Sequence, residues 1–267
     1  MMLDIAQMPD RIANKIRGLQ WIGDDVGKSK SHVLLFEEMV LKIEKISRNS
    51  AQEIELLGWL DGKLPVPKII EAQAQNGYSF VLMSKLPGEM VCTGSSLQNM
   101  EETVKALASG LKMLWQIDIA DCPCRFTVAE KLLEAKYDVE NDLVDTSDFE
   151  PETLSSQGFA GVMDLYNYLE RNRPKEDLVF CHGDFTFPNI LVSGNMITGL
   201  IDWGNGGVAD RWQDISLCYR ALSKKYAKYG LYSEKQYSKY KALFFGELGI
   251  EPDEEKVRYY NLLDEFF

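Results

Sequence analysis

Short apolar runs broken by Gly and Ser fill the first third of the chain. Leu19 to Ile22, His32 to Phe36 and Met39 to Ile43 are such runs, with Gly27-Lys28-Ser29-Lys30-Ser31 between the first two, and Lys68 to Ala72 and Tyr78 to Ser84 follow. The spacing predicts antiparallel strands. Between them, Ser50-Ala51-Gln52-Glu53 matches a capping box, and Ile54, Leu57 and Leu60 then recur at helical spacing until Pro65 and Pro67 end the helix. Pro87-Gly88 marks a turn. Past it the period lengthens: Val104, Leu107, Leu111 and Leu114 trace an amphipathic helix, and Val162 to Arg171 and Lys235 to Leu248 behave similarly. The pattern predicts an α+β chain with a small β-rich lobe over 1–84, a hinge over 85–90 and a larger, mainly α lobe over 91–267.

A chain of 267 residues, 45% hydrophobic, can bury a substantial core, and one large domain and two lobes both fit its length. Five cysteines without a CxxC pair, and only two histidines, argue against a zinc site or a disulfide framework and favour a reducing cytoplasm. The sequence shows neither a basic region leading into a long apolar run nor ~18 uninterrupted apolar residues, so neither secretion nor a membrane partner is expected. A net charge of −12 repels nucleic acid and attracts cations. By itself it also serves solubility, and it gains meaning only beside the chemistry that follows.

That chemistry sits in Phe180-Cys181-His182-Gly183-Asp184-Phe185-Thr186-Phe187-Pro188-Asn189-Ile190-Leu191 and in Ile201-Asp202-Trp203-Gly204. Val179 to His182 closes an apolar run and Gly183 permits a sharp turn, so Asp184 is expected on a loop at a strand end. It reads either as a turn cap or as a carboxylate aimed into a cleft. Asn189 to Val192 and Met196 to Ile201 read as a hairpin turning at Gly194-Asn195. Asn189 then pairs with Leu200, and Asp202 is its diagonal neighbour on the same face, ~7–8 Å away through the backbone. Oxygen ligands of this kind suit Mg²⁺, which takes one or two protein carboxylates and leaves its other positions to water and phosphate.

Lys42 interrupts the apolar run Met39-Val40-Leu41-Lys42-Ile43 and needs a partner. Glu53 has two readings: the closing residue of the capping box, or the buried anion that neutralises Lys42.

His-Gly-Asp, four residues, Asn, then Asp-x-Gly resembles the catalytic and metal-binding segments of the protein-kinase-like fold. More narrowly it resembles the aminoglycoside phosphotransferases of the 3′ (kanamycin kinase) branch. The likeness extends through Gly58-Trp59-Leu60-Asp61-Gly62-Lys63-Leu64-Pro65-Val66-Pro67-Lys68, Ala209-Asp210-Arg211-Trp212-Gln213-Asp214-Ile215, Tyr219-Arg220 and the terminal Tyr259 to Phe267. The resemblance implies transfer of the γ-phosphoryl of ATP or GTP, with Mg²⁺, to a hydroxyl of a cationic aminoglycoside, the 3′-hydroxyl in this branch.

Under that resemblance Asp184 is the catalytic carboxylate and Asn189 and Asp202 hold the metal. Lys42 reaches the α- and β-phosphates, Glu53 holds Lys42, and Ser29, Ser84 and Leu86 line the nucleotide site. His182 supports the loop, whereas His32 is a strand residue without a role. Asp148, Glu150 and Glu152, with Asp264, Glu265 and the terminal Phe267, become ligands for the ammonium groups of the acceptor. Apart from the resemblance, the acidic stretch reads equally as a solvated face and the acidic terminus as a frayed end. The chain departs from the family at Asn205, where related kanamycin kinases often carry Arg, and at Val40, where an aromatic ring can stack on adenine. The alternatives are a kinase for another small cationic alcohol or metabolite, and a nucleotide-binding module without catalysis.

Overall fold

The structure is a computed structural model describing residues 8–24, 31–93, 99–149, 153–225 and 233–267. The expected roles of Ser29, Glu150 and Glu152 fall outside the described residues. The chain divides into two compact units, Met1–Ala106 with Phe187–Asn205, and Leu107–Thr186 with Gly206–Phe267. The segment 85–90 and the hairpin after Phe187 both belong to the first unit.

The first unit is built on an antiparallel sheet of β1 (Ile22–Asp24), β2 (His32–Leu35), β3 (Met39–Lys45), β4 (Ile69–Gln75) and β5 (Tyr78–Ser84), in the order β1-β2-β3-β5-β4. Strand alternation gives the sheet two different faces. Leu34, Leu41, Ile43, Phe80 and Leu82 pack with Ile12 and Ile16 of α1 (Asp10–Ile16) into a buried core. Val33, Leu35, Val40, Lys42 and Met83 instead line a cavity. Helix α2 (Arg48–Leu60) buries Leu56, Leu57 and Leu60 together with Glu53.

The cap of α2 corrects the expectation drawn from Ser50. Ser47 is the N-cap: its Oγ accepts the Ser50 N–H at 3.1 Å, while the Ser50 Oγ accepts the Ser47 N–H at 2.9 Å. A serine at the third helical position closes the box as a glutamate would. Glu53, one turn further on, is therefore not needed at the cap.

A smaller sheet, β6-β8-β9, joins β6 (Glu89–Met90) to the hairpin of β8 (Ile190–Ser193) and β9 (Met196–Leu200). Gly88 takes φ +106°, and a Cβ there would meet the Val192 carbonyl oxygen at 2.7 Å, so the approach to β6 requires glycine. The hairpin turns at Gly194-Asn195 as expected, with Ser193 opposite Met196, but its register slips one residue between Leu191 and Val192. Thr198 is the extra residue, and its hydroxyl donates to the Pro87 carbonyl at 2.6 Å. As a result Ile190, not Asn189, faces Leu200. Asn189 closes a short 3₁₀ turn, Phe187–Asn189, and its carbonyl accepts the Ile201 N–H at 3.0 Å.

The second unit is mainly helical: α3 (Met100–Trp115, of which Leu107 onward lies here), α4 (Val128–Glu140), α5 (Val162–Arg171), α6 (Trp212–Arg220), α7 (Glu234–Leu248) and α8 (Glu254–Asp264). Leu107, Leu111 and Leu114 of α3 are fully buried, as their spacing predicts. A two-stranded antiparallel ribbon of β7 (Leu178–Cys181) and β10 (Gly207–Asp210) pairs Cys181 with Gly207. The His182-Gly183-Asp184 turn leaves the end of β7.

Candidate active site

In the first unit the structure gathers Lys42, Glu53, Ser84, Leu86, Asn189 and Asp202 around one cavity of about 310 Å³. Its apolar walls include Val33, Leu35, Val40, Met83, Leu191 and Ile201, and no aromatic ring stands among its described lining residues. Val40 thus occupies a wall position without offering a stacking surface. Ser84 is fixed at the edge of the cavity: its N–H donates to the Lys68 carbonyl at 2.9 Å and its hydroxyl accepts the Lys68 N–H at 2.9 Å.

The charged end of the cavity is a cluster about Lys42. Its Nζ lies 2.7 Å from Glu53 Oε2, 3.0 Å from Asp202 Oδ1 and 3.7 Å from Glu44 Oε1. Burial favours the neutral amine, but Glu53, Asp202 and Glu44 together outweigh it and hold the ammonium above its ordinary pKa. Glu53 is 3% exposed, and its Oε1 accepts the Trp203 N–H at 3.3 Å. One carboxylate therefore grips both Lys42 and the backbone next to Asp202.

Asp202 itself takes φ +66°, in the left-handed region where a residue with a Cβ rests at a cost of ~1–3 kcal/mol. The fully buried Trp203, whose indole N–H donates to the Leu200 carbonyl at 3.0 Å, fixes the chain just beyond it. Asn205 accepts a hydrogen bond from the Asn49 side chain at 2.9 Å, which ties the segment after Asp202 to the start of α2.

The second unit holds Asp184. Gly183 takes φ +84°, the turn expected of it, and the His182 Nδ1 accepts the Asp184 N–H at 3.3 Å. His182 is fully buried, in keeping with a support for the loop. Beneath the turn lies Asp214 of α6, also fully buried, whose Oδ2 accepts the His182 N–H at 2.6 Å and whose Oδ1 accepts the Gly183 N–H at 2.9 Å. Burial pushes the Asp214 carboxyl up to about 7, because desolvation and the Asp184 charge outweigh the two N–H donors and Lys131. Gln213 adds a hydrogen bond from its side-chain N–H to the Gly183 carbonyl at 3.4 Å.

Asp214 and Gln213 received no role from sequence reasoning. The available signal was a charge inside a helix buried on every side, since all residues from Trp212 to Tyr219 are buried. A carboxylate in such a helix must have partners.

The remaining predicted acceptor ligands also lie in the second unit. Asp264 pairs with Arg220, and Glu265 accepts the Thr153 hydroxyl at 2.6 Å. Phe266 is buried and meets Phe149 edge-on at 6.4 Å between centroids. The Lys131 ammonium lies 4.4 Å from the centroid of the Phe267 ring. The terminal segment is anchored. Asp148 ends a short 3₁₀ turn, Thr146–Asp148.

Comparison with known proteins gives these arrangements a context. The model of the phosphotransferase enzyme family matches residues 24–251. The aminoglycoside 3′-phosphotransferase of Niallia circulans is 40% identical over 222 residues, covering 82% of this chain and 79% of that protein. Among solved structures, an aminoglycoside-3′-phosphotransferase of type VIII superposes with a TM-score of 0.80 at 26% identity, covering 96% of this chain and 97% of the other. The aminoglycoside phosphotransferase APH(3″)-Id of Streptomyces rimosus, in complex with ADP and streptomycin, shares the fold, with a TM-score of 0.72 at 19% identity over 97% of this chain and 99% of that one. The chain belongs to the phosphotransferase enzyme family, with the aminoglycoside 3′-phosphotransferases among its relatives.

Proposed function

We propose that the protein is a nucleotide-dependent kinase that moves the γ-phosphoryl of ATP or GTP to the 3′-hydroxyl of an aminoglycoside. The observation that carries this reading is the Lys42 ammonium held between Glu53 and Asp202 at one end of an apolar cavity. The cavity's walls suit a nucleobase, and Lys42 supplies a fixed positive charge for its phosphates. The acceptor class is supported by the likeness to the Niallia circulans enzyme. A net charge of −12 agrees with a cationic acceptor.

The donor set fits a hard cation. Among the described residues no three His, Cys, Asp or Glu side chains form a cage, but Asn189 and Asp202 both line the cavity, and the Asp202 side chain is 43% exposed and so can be reached. When bound, Mg²⁺ would be held by these two oxygen donors and would neutralise charge on the phosphates. Lys42 positions the α- and β-phosphates, and Glu53 keeps Lys42 extended toward them. Asp184 orients the acceptor hydroxyl and takes its proton as the oxygen attacks the γ-phosphorus. The P–O bond to the nucleoside diphosphate breaks, and that diphosphate leaves with the bonding electrons. Asp264, Glu265 and Phe267, with Asp148, Glu150 and Glu152, are proposed to bind the ammonium groups of the acceptor.

The product is an aminoglycoside carrying a phosphate dianion in place of a neutral hydroxyl, which lowers its net positive charge and gives resistance. Incubation with ATP, Mg²⁺ and kanamycin A tests the proposal. The mass spectrum of the drug should gain one phosphoryl group, and an unchanged spectrum at full nucleotide consumption would overturn it.

A further inference from the structure

Strand β3 turns alternate side chains to opposite faces, so Leu41 and Ile43 enter the core while Val40, Lys42 and Glu44 form one row on the other face. Val40 and Lys42 line the cavity. Leu35 and Met83, both apolar, pair with Val40 on the neighbouring strands, so the row starts at the apolar end of the cavity and runs to the charged one. Glu44 is its next member, about 7 Å beyond Lys42 along the strand. Its Oε1 lies 3.7 Å from the Lys42 Nζ, and its side chain is 23% exposed. It takes no part in the steps above.

Lys42 has closer partners in Glu53 at 2.7 Å and Asp202 at 3.0 Å, so Glu44 is not needed to neutralise it. With Glu44 the cluster sets one ammonium against three carboxylates, a formal excess of two negative charges. That excess stands where the phosphates of the nucleotide are proposed to lie. Repulsion between like charges grows with the product of the charges, and Mg²⁺ cancels part of the charge on a nucleoside triphosphate. The metal-free anion is therefore repelled more strongly than its Mg²⁺ complex. We infer that Glu44 is a specificity-determining residue, whose charge makes the cavity select the Mg²⁺-loaded nucleotide over the free one. The inference deepens the phosphotransfer reading and rests on its nucleotide site, not on its acceptor.

Calorimetric titration with ATP, once with Mg²⁺ and once with EDTA, tests it on wild type, Glu44→Gln and Glu44→Asp. The titrations are made at pH 8, because burial raises the Glu44 carboxyl above its ordinary value. In the Gln variant the Kd of metal-free ATP should fall about tenfold and that of the Mg²⁺ complex by no more than about threefold, so the advantage given by Mg²⁺ shrinks. The Asp variant keeps the charge and should keep the wild-type ratio of the two constants. Added salt should narrow the difference between the Gln variant and wild type by screening. Equal changes in both constants of the Gln variant would overturn the inference, and weaker binding of both would do so by marking Glu44 as a support for Lys42. Loss of affinity for the Mg²⁺ complex alone would overturn it too, as the sign of a metal ligand. Wild type that binds ATP but leaves kanamycin A unmodified would count against the phosphotransfer reading alone, whereas wild type that binds no ATP under either condition would overturn the nucleotide site and the inference with it.

Discussion

Lys42 Nζ lies 2.7 Å from Glu53 Oε2, joining strand β3 to helix α2 beside the cavity of the first unit. The pair is nearly dry, with side-chain exposures of 13% and 4%. Taking such charges out of water is costly, so the buried Glu53 is not tolerated without its lysine. Because Glu53 also accepts the Trp203 N–H, the pair fixes the backbone beside Asp202 as well as the lysine.

Lys42→Ala should therefore do two things at once. It leaves Glu53 buried without its cation, at a cost of about 3–5 kcal/mol in stability. It also removes the charge proposed to position the phosphates, so KM for nucleotide should rise. Chemical denaturation and a nucleotide titration check the two parts. Loss of nucleotide affinity without loss of stability would contradict the buried-pair argument.

Asp184→Asn keeps the size of the side chain and removes the proposed proton acceptor. Turnover should fall ~10²–10⁴-fold, while nucleotide affinity, measured by calorimetry, stays at the wild-type value. Wild-type turnover in this variant would remove Asp184 from the mechanism.

On the proposed metal site, Asp202→Ala leaves Asn189 as a single neutral donor, too weak to hold a hard cation that sheds water reluctantly. Mg²⁺ should then no longer strengthen nucleotide binding. The variant also relieves Lys42 of one carboxylate at 3.0 Å, so its Mg²⁺-free affinity for nucleotide should not fall. An undiminished Mg²⁺ effect in titrations with and without the metal would exclude Asp202 as a ligand.

Asp214 sets a pH dependence of unusual sign. Its carboxyl is raised from 3.8 to about 7 by burial, so between these values the folded chain binds a proton that the unfolded chain has lost. Its contribution to stability is fully present below pH ~4 and is lost as pH rises through about 7. Asp214→Asn should abolish this trend, so the Tm of wild type relative to the variant should decline from pH 5 to pH 8. A difference independent of pH would mean that Asp214 is ionised throughout.

The sheet of the first unit and the major helices were legible because their apolar periods are plain, and Lys42 was legible because a charge inside an apolar strand demands a partner. The hairpin register was not. Counting back from the Gly194-Asn195 turn places Asn189 opposite Leu200, and the bulge that moves it sits at Thr198, whose hydroxyl bonds Pro87, a residue far away in sequence. The helix cap was misread for a local reason, since Ser47 and Ser50 make a reciprocal cap that competes with the Ser50–Glu53 pattern. Asp214 escaped because its partners are backbone groups of His182 and Gly183, which carry no side-chain signature in the sequence. The acidic terminus could be read as frayed or as lining the acceptor site, and the groups that hold it, Arg220 and Thr153, lie on other segments of the chain.

The proposed reaction transfers the phosphoryl group to one particular hydroxyl. The most direct measurement is turnover of ATP with kanamycin A beside an otherwise similar aminoglycoside that lacks the 3′-hydroxyl, with the product's phosphorus position read by NMR. Phosphate should appear on the 3′-oxygen of kanamycin A, with no acceptor-dependent turnover of the 3′-deoxy compound. Equal turnover of the two, or phosphate on another oxygen, would contradict it.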